Sequence, residues 1–263
     1  MQVSLLGRVE VWGHIQGERQ LGRLGGLRQR ALLARLAIDV GSVVSRRELF
    51  EFVWDGEPPS SGDTALRVHV TRLRKALEPI RGDAAGVIGR DGGYCLDLPA
   101  DHVDLHRFRA EVVAGAACER NGDPSAALDC YDQGLAQWSG RPLADLDELD
   151  FAARIARQLQ EERLSAIERR ADLALELGRH DEVVVSHEPL VADEPLRERF
   201  TEQLAVALYR SGRQADALRV IGELRTLLRR QLGLLPGPGV QLLEQAVLQQ
   251  DPRLLRGPLP RIS

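Results

Sequence analysis

Along residues 64–77, TALRVHVTRLRKAL, apolar side chains recur at Leu66, Val70, Leu73 and Leu77. Spacings of four, three and four put them in one stripe on an α-helix. Winding the segment at about 100° per residue sets Thr64, Val68, Thr71, Arg72 and Lys75 opposite that stripe. Arg67, His69 and Arg74 fall on its flanks.

The pattern before this helix is different. Apolar runs at 3–6 and 8–12, split by Gly7, and a third at 19–24 predict short strands in a small antiparallel sheet. Residues 27–39 read as a helix with Leu32, Leu33, Leu36 and Ala37 facing inward, ended by Gly41. Ser45-Arg46-Arg47-Glu48 has the form of a capping box opening a helix to about residue 53. That helix presents Leu49, Phe50 and Val53, with Trp54 as a large anchor. Pro58 and Pro59 break the chain; Ser60 or Ser61 can cap the 64–77 helix, and Ser60-x-x-Asp63 resembles a second capping box. Strands at 87–88 and 94–98 flank Arg90-Asp91-Gly92-Gly93, a hairpin signal whose tip carries Arg90. Sheet, three helices and hairpin make a winged helix-turn-helix, with the second and third helices as the turn unit.

Pro99-Ala100-Asp101 marks an expected boundary, and Asp104 an N-cap for the helix that follows. Helices are predicted at 105–120, 124–138, 148–177, 180–192, 195–211, 214–232 and 238–250, with no convincing strand. Gly122 and Gly212 are each followed by Ala-Leu five and six residues on, and Gly178 and Gly212 stand 34 apart. That is the tetratricopeptide period, and Tyr209 and Pro195 fit it. An unrelated helical bundle is the alternative. The expected fold is thus an α+β winged helix over residues 1–99, then an all-α tetratricopeptide-like domain over 100–263.

Charge changes the picture at one place. The chain has a formal charge of -4. Residues 1–99 hold 14 Lys or Arg against 12 Asp or Glu, leaving 21 against 27 in the remainder. Attraction to nucleic acid must therefore be focused on a patch, and residues 64–77 contain no acid. A solvated helix gains i,i+4 pairs by mixing signs. One with a buried stripe and uniformly basic, hydroxyl-bearing other faces suits a DNA major groove. Arg pairs bidentately with guanine, Thr contacts base or phosphate, and Val68 can touch a thymine methyl. The major-groove candidates are Thr64, Arg67, Val68, Thr71, Arg72, Arg74 and Lys75. Arg28, Arg46, Arg47 and Arg90 are phosphate candidates, and Tyr94 packs the wing base with its hydroxyl toward backbone. A basic surface helix with no nucleic-acid partner is the plain alternative, as is a repeat scaffold for protein contacts alone.

Other chemistry finds little support. Cys95, Cys118 and Cys130 are too scattered for a disulfide framework or a CxxC site. His102 and His106 stand four apart without a cysteine or second acid nearby, so no metal site is expected. The glycines at 22, 25 and 26 make no phosphate loop, and Ser4, Ser45 and Ser211 no nucleophile elbow. Neither enzyme nor cofactor is expected. The start lacks a signal-peptide pattern and no window could span a membrane, which predicts a cytoplasmic protein at the bacterial nucleoid.

GLRQRALLARLAIDVGSVVSRRELFEFVWDGEPPSSGDTALRVHVTRLRKALE resembles the DNA-binding domain of the Streptomyces antibiotic regulatory protein family, actinobacterial activators with an OmpR-type winged helix. HVDLHRF, LRERFTEQLAVALYRSGRQADAL and QLGLLPGPGVQLLEQAVLQQDPRL resemble the bacterial transcriptional activator domain that follows it there. The resemblance runs from Val3 to about Leu254 and indicates the small two-domain form, without the ATPase region of large members. Leu27 stands where members commonly have proline, and Asp91-Gly92-Gly93-Tyr94 replaces Pro-Pro-Gly-Tyr in the wing. The resemblance implies a sequence-specific activator of a secondary-metabolite (antibiotic) cluster, bound to double-stranded DNA at promoter direct repeats. It also implies self-association as a dimer on DNA and recruitment of RNA polymerase through sigma factor or other subunits. Asp55 and Glu57, beside two prolines, form an acidic corner suited to that contact. A steric repressor with the same DNA contacts is the alternative.

Overall fold

The computed structural model describes residues 1–82 and 86–255. It forms two compact units, Met1–Val113 with Gln133–Leu164, and Ala114–Asp132 with Ser165–Ser263. The N-terminal winged helix-turn-helix and the helical repeats that follow have the fold class expected.

The first unit opens with strands β1 (Gln2–Ser4), β2 (Glu10–Ile15) and β3 (Glu18–Leu21), antiparallel in that order. The run expected as strand through residue 6 stops at Ser4 because its backbone is claimed elsewhere. Leu5 and Leu6 donate their N–H groups to the Asp104 carboxylate at 2.8 and 3.1 Å, and Val9 donates to Asp145 at 2.9 Å. The carbonyls of Leu5, Leu6 and Gly7 accept from Leu143, Ser139 and Ala144. A Cβ on Gly7 would lie 2.1 Å from Ser139 Oγ, so any larger residue would have to turn that hydroxyl away. Asp104 is 3 % exposed and serves chain 99 residues away, more than the local cap its position suggested.

Helix α1 (Leu27–Ile38) buries Leu32, Leu33, Leu36 and Ala37, and Gly41 turns the chain at φ +79°. Strand β4 (Val44–Ser45) follows, an element too short to leave a sequence pattern. The capping box of α2 (Arg46–Trp54) forms: Ser45 Oγ accepts from Glu48 N–H, and Glu48 accepts from Ser45 N–H. Its buried face is Leu49, Phe52 and Val53, so Phe52 takes the core place assigned to Phe50. Helix α3 (Gly62–Leu77) buries the whole expected stripe, each member at 1 % exposure or less. Burial of such a side chain stabilises by roughly 1.5–3 kcal/mol. The second capping box does not form. Ser61 is the N-cap without a side-chain bond, and Asp63 lies 3.7 Å from Arg46 instead.

Strands β5 (Gly86–Arg90) and β6 (Gly93–Asp97) close on Asp91-Gly92, with Gly92 at φ +82°. The sheet order β4-β6-β5 leaves β5 at the edge.

The remaining helices are α4 (Asp104–Arg120), α5 (Pro124–Leu135), α6 (Asp150–Glu176), α7 (His180–Asp193), α8 (Glu198–Arg210), α9 (Gln214–Leu232) and α10 (Pro238–Leu248). In the second unit the repeat shows in its corners. Gly122, Gly178 and Gly212 hold φ of +74°, +77° and +78°. The next residue's N–H reaches back five residues each time: Asp123 to Cys118, Arg179 to Ala174, Arg213 to Leu208. This helix-ending motif needs a left-handed residue, which glycine adopts without steric cost. Inside the unit, His187 Nε2 meets Gln203 Oε1 at 3.1 Å, and Gln203 Nε2 donates to Glu168 O and Asp172 Oδ1, both at 2.7 Å. No described helix is long and apolar enough to cross a membrane.

Candidate nucleic-acid interface

Helix α3 stands in the recognition position of the α2–α3 pair, its stripe buried and its other face open. Thr64, Arg67, Thr71, Arg72 and Lys75 are exposed, and Val68 is 41 % exposed among them. Arg67, Arg72 and Lys75 form no ion pair among the described residues. Thr71 Oγ1 donates to the Arg67 carbonyl at 2.9 Å, which holds its methyl and hydroxyl in one rotamer.

Both flanks of this face are pinned. On one, the His69 ring meets Trp54 edge-on with centroids 5.6 Å apart, and Trp54 lies 5.9 Å from Phe50. Trp54 is therefore a half-buried wall between α2 and α3. Burial, then the charges of Arg72 and Arg28, hold His69 below its ordinary pKa, so it adds no charge here at neutral pH. On the other flank, Arg74 Nε donates to the Val87 carbonyl of β5 at 2.7 Å.

The phosphate candidates are placed unequally. Arg90 is exposed at the hairpin tip and Tyr94 is half-buried in β6, opposite Val44 and Gly89. Arg47 is 88 % exposed and paired with Glu51 at 3.0 Å; Arg46 sits by Asp63. Arg28 is half-buried and donates to the Val53 carbonyl. In the α2–α3 loop, Asp55 turns at φ +52° and its Oδ1 accepts from Phe151 N–H at 3.1 Å, whereas Glu57 is exposed. His102 and His106 turn to separate carbonyls, of Met1 and Ala37. Sequence reasoning missed what Arg74 and Asp55 bind, because both partners are distant in sequence and one is a backbone carbonyl. The unpaired edge of β5 was the available signal for Arg74.

A recognition helix whose open face is basic and acid-free from Thr64 onward, a wing and a following stack of repeat helices define a two-domain transcriptional regulator of winged-helix type. Comparison with known proteins agrees. The bacterial transcriptional activator domain family matches residues 103–248, and the family described as transcriptional regulatory protein, C terminal, matches residues 25–96. Regulatory protein AfsR of Streptomyces coelicolor is 38% identical over 97% of this chain, which spans 25% of that protein. Transcriptional regulator RedD of the same species is 36% identical, with 97% of this chain and 72% of RedD covered. Regulatory protein DnrI of Streptomyces peucetius is 31% identical, with 97% and 95% covered. Among solved structures, Mycobacterium tuberculosis EmbR in complex with a low affinity phosphopeptide superimposes with a TM-score of 0.84 at 32% identity, covering 95% of this chain and 65% of that one. The chain belongs to the Streptomyces antibiotic regulatory protein family of transcriptional regulators.

Proposed function

We propose that the protein is a sequence-specific DNA-binding activator of a secondary-metabolite gene cluster. Residues 1–99 serve as its DNA-binding domain and 100–263 as its activator domain. The observation that carries this is the open face of α3 from Thr64 to Lys75, basic and free of acids after Asp63 in the first turn, in a chain whose total charge is -4. Thr64, Arg67, Val68, Thr71, Arg72 and Lys75 lie in or beside the major groove. Arg46, Arg47 and Arg90 contact phosphates, Arg28 reinforces them from the α1 side, and Tyr94 braces the wing. One recognition helix reads only a few base pairs, so two protomers bind direct repeats about one helical turn apart. Promoter-bound protein then recruits RNA polymerase, sigma factor included. Asp55 and Glu57 are the exposed acids of the α2–α3 corner available to it, and Asp55 also shapes that corner by accepting from Phe151 N–H.

The test is binding to selected and scrambled duplexes across salt concentrations, followed by transcription in vitro with purified polymerase. Sequence preference with a steep salt dependence supports the DNA assignment. Transcript that rises with promoter occupancy, and falls in Glu57→Ala without loss of DNA affinity, supports recruitment. Repression by the intact protein overturns the activator assignment and leaves the DNA assignment standing.

A further inference from the structure

Arg74 stands on the flank of the recognition helix, and its position there does not settle what it does. Strand β5 is the edge of the sheet β4-β6-β5, so half of its backbone groups face away from β6. The Val87 carbonyl is one that finds a partner outside the sheet, and the partner is Arg74 Nε at 2.7 Å. Around this bond the gap between α3 and β5 is an open cleft of about 470 Å³, lined by Thr71, Arg74, Lys75, Glu78 and Arg81 over a floor of Leu77 and Val87. The bond thus spans this cleft on the α3 side, while on the other side β6 is held by its ladder to β4, by Arg46 N–H donating to the Gly92 carbonyl, and by buried Leu96. Beyond it β5 carries Gly89, which offers no side chain for α3 to grip, and then the tip with Arg90.

We infer that Arg74 is a positioning residue: it ties the wing to the recognition helix and sets the angle at which Arg90 meets DNA. The inference rests on the DNA-binding reading for its consequence, though the tether itself exists in the free protein. A hydrogen bond from a charged donor to an edge carbonyl is strong enough to add to the β4–β6 ladder in fixing where β5 lies against α3. Losing it leaves the wing to be ordered at the expense of binding.

The experiment uses the full chain and the chemistry of the side chain. In Arg74→Gln the amide nitrogen stands where Arg74 Nε stands, so the tether is kept while the charge is lost. Arg74→Met removes both. Amide hydrogen exchange over residues 86–97 is measured without DNA, and affinity is measured for a duplex selected by the wild-type chain from a random pool. R74M is expected to raise hairpin exchange and weaken binding about tenfold, as losing one charge-assisted hydrogen bond does. R74Q is expected to keep wild-type exchange and bind within about twofold. R74M and Arg90→Ala should be non-additive, because a loose wing already forfeits the Arg90 contact. The tether is overturned if R74M leaves hairpin exchange unchanged, or if R74Q loses as much affinity as R74M, which marks Arg74 as a direct DNA contact. Failure of the wild-type chain to select any duplex counts against the DNA reading, and the exchange result still decides the tether.

Discussion

Arginines on α3 and arginines on α8 and α9 are the same residue in opposite settings. At α8 and α9 most are matched: Arg199 reaches Asp172 at 2.6 Å and Glu202 at 2.9 Å, Arg213 reaches Asp216 at 2.8 Å, and Arg219 reaches Glu223 at 2.9 Å, while Arg229 and Arg230 in the last turn of α9 stay exposed without an ion pair among the described residues. Arg197 meets Glu168 at 2.6 Å, and Arg225 meets Glu244. On α3, Arg67, Arg72 and Lys75 point outward with no ion pair among the described residues. Matched charges cancel within a Debye length and give a surface no long-range field. Unmatched ones add their potentials, and that sum attracts a polyanion. A chain with net negative charge can therefore carry a DNA-binding face, provided its acids lie almost wholly off that face, as here where α3 holds Asp63 alone in its first turn.

Reversing the unmatched set should give the largest effect. Arg67→Glu with Arg72→Glu is expected to cut DNA affinity on the order of a thousandfold at low salt, because two counterion-releasing contacts become repulsive. Neither side chain has an ion pair to lose among the described residues, so stability should move within about 0.5 kcal/mol. Anisotropy and urea unfolding on one preparation check both halves. A large loss of stability would mean that the face is structural.

Acid should act on the repeat helices and leave the α3 charges alone. Burial, opposed by the Gln203 bond and helped by the charge of Arg170, lowers the His187 pKa to about 4. The unfolded chain takes up that proton near its ordinary value, about 6.5. The fold is therefore at full strength above about pH 6.5 and loses stability as pH falls toward 4, by about 3 kcal/mol from this residue. Urea unfolding at a series of pH values, compared with His187→Gln, measures it. Equal pH dependence in the two proteins would exclude His187 as the responsible group.

How much of this was legible depended on how local its cause was. The stripe of α3, the bounds of α9 and the glycine corners at 122, 178 and 212 follow from spacing, and spacing is written in sequence. The basic face was legible for the same reason. Four features were not. Residues 5–9 avoid a strand because Asp104 and Asp145, 99 and 136 positions away, take their N–H groups. Strand β4 is two residues long and merges with a helix cap. Phe52 and Phe50 differ in burial because Phe52 meets Phe151, with centroids 5.8 Å apart. Arg74 finds a carbonyl, and no side-chain pattern announces a carbonyl.

Smaller effects sharpen the contrast by separating the matched arginines into two kinds. Arg199 is half-enclosed: burial opposes its charge, yet Asp172 and Glu202 outweigh that and raise its pKa. Arg199→Met strands two carboxylates, one of them also bonded to Gln203, and should cost about 2–3 kcal/mol of stability. Arg219 is solvated, and its pairs with Glu223 and Asp216 trade protein contacts for water contacts at little net gain. Arg219→Ala should leave the melting temperature and the DNA affinity at their wild-type values. Its one expected consequence is a shallower salt dependence of stability, since screening can no longer weaken a pair that is absent. Differential scanning calorimetry at low and high salt reads this directly. A clear drop in melting temperature at both salts would show that the exposed pairs of α9 do structural work. The repeat helices would then hold their charges for stability, and their pairing could not be read as the counterpart of the open face on α3.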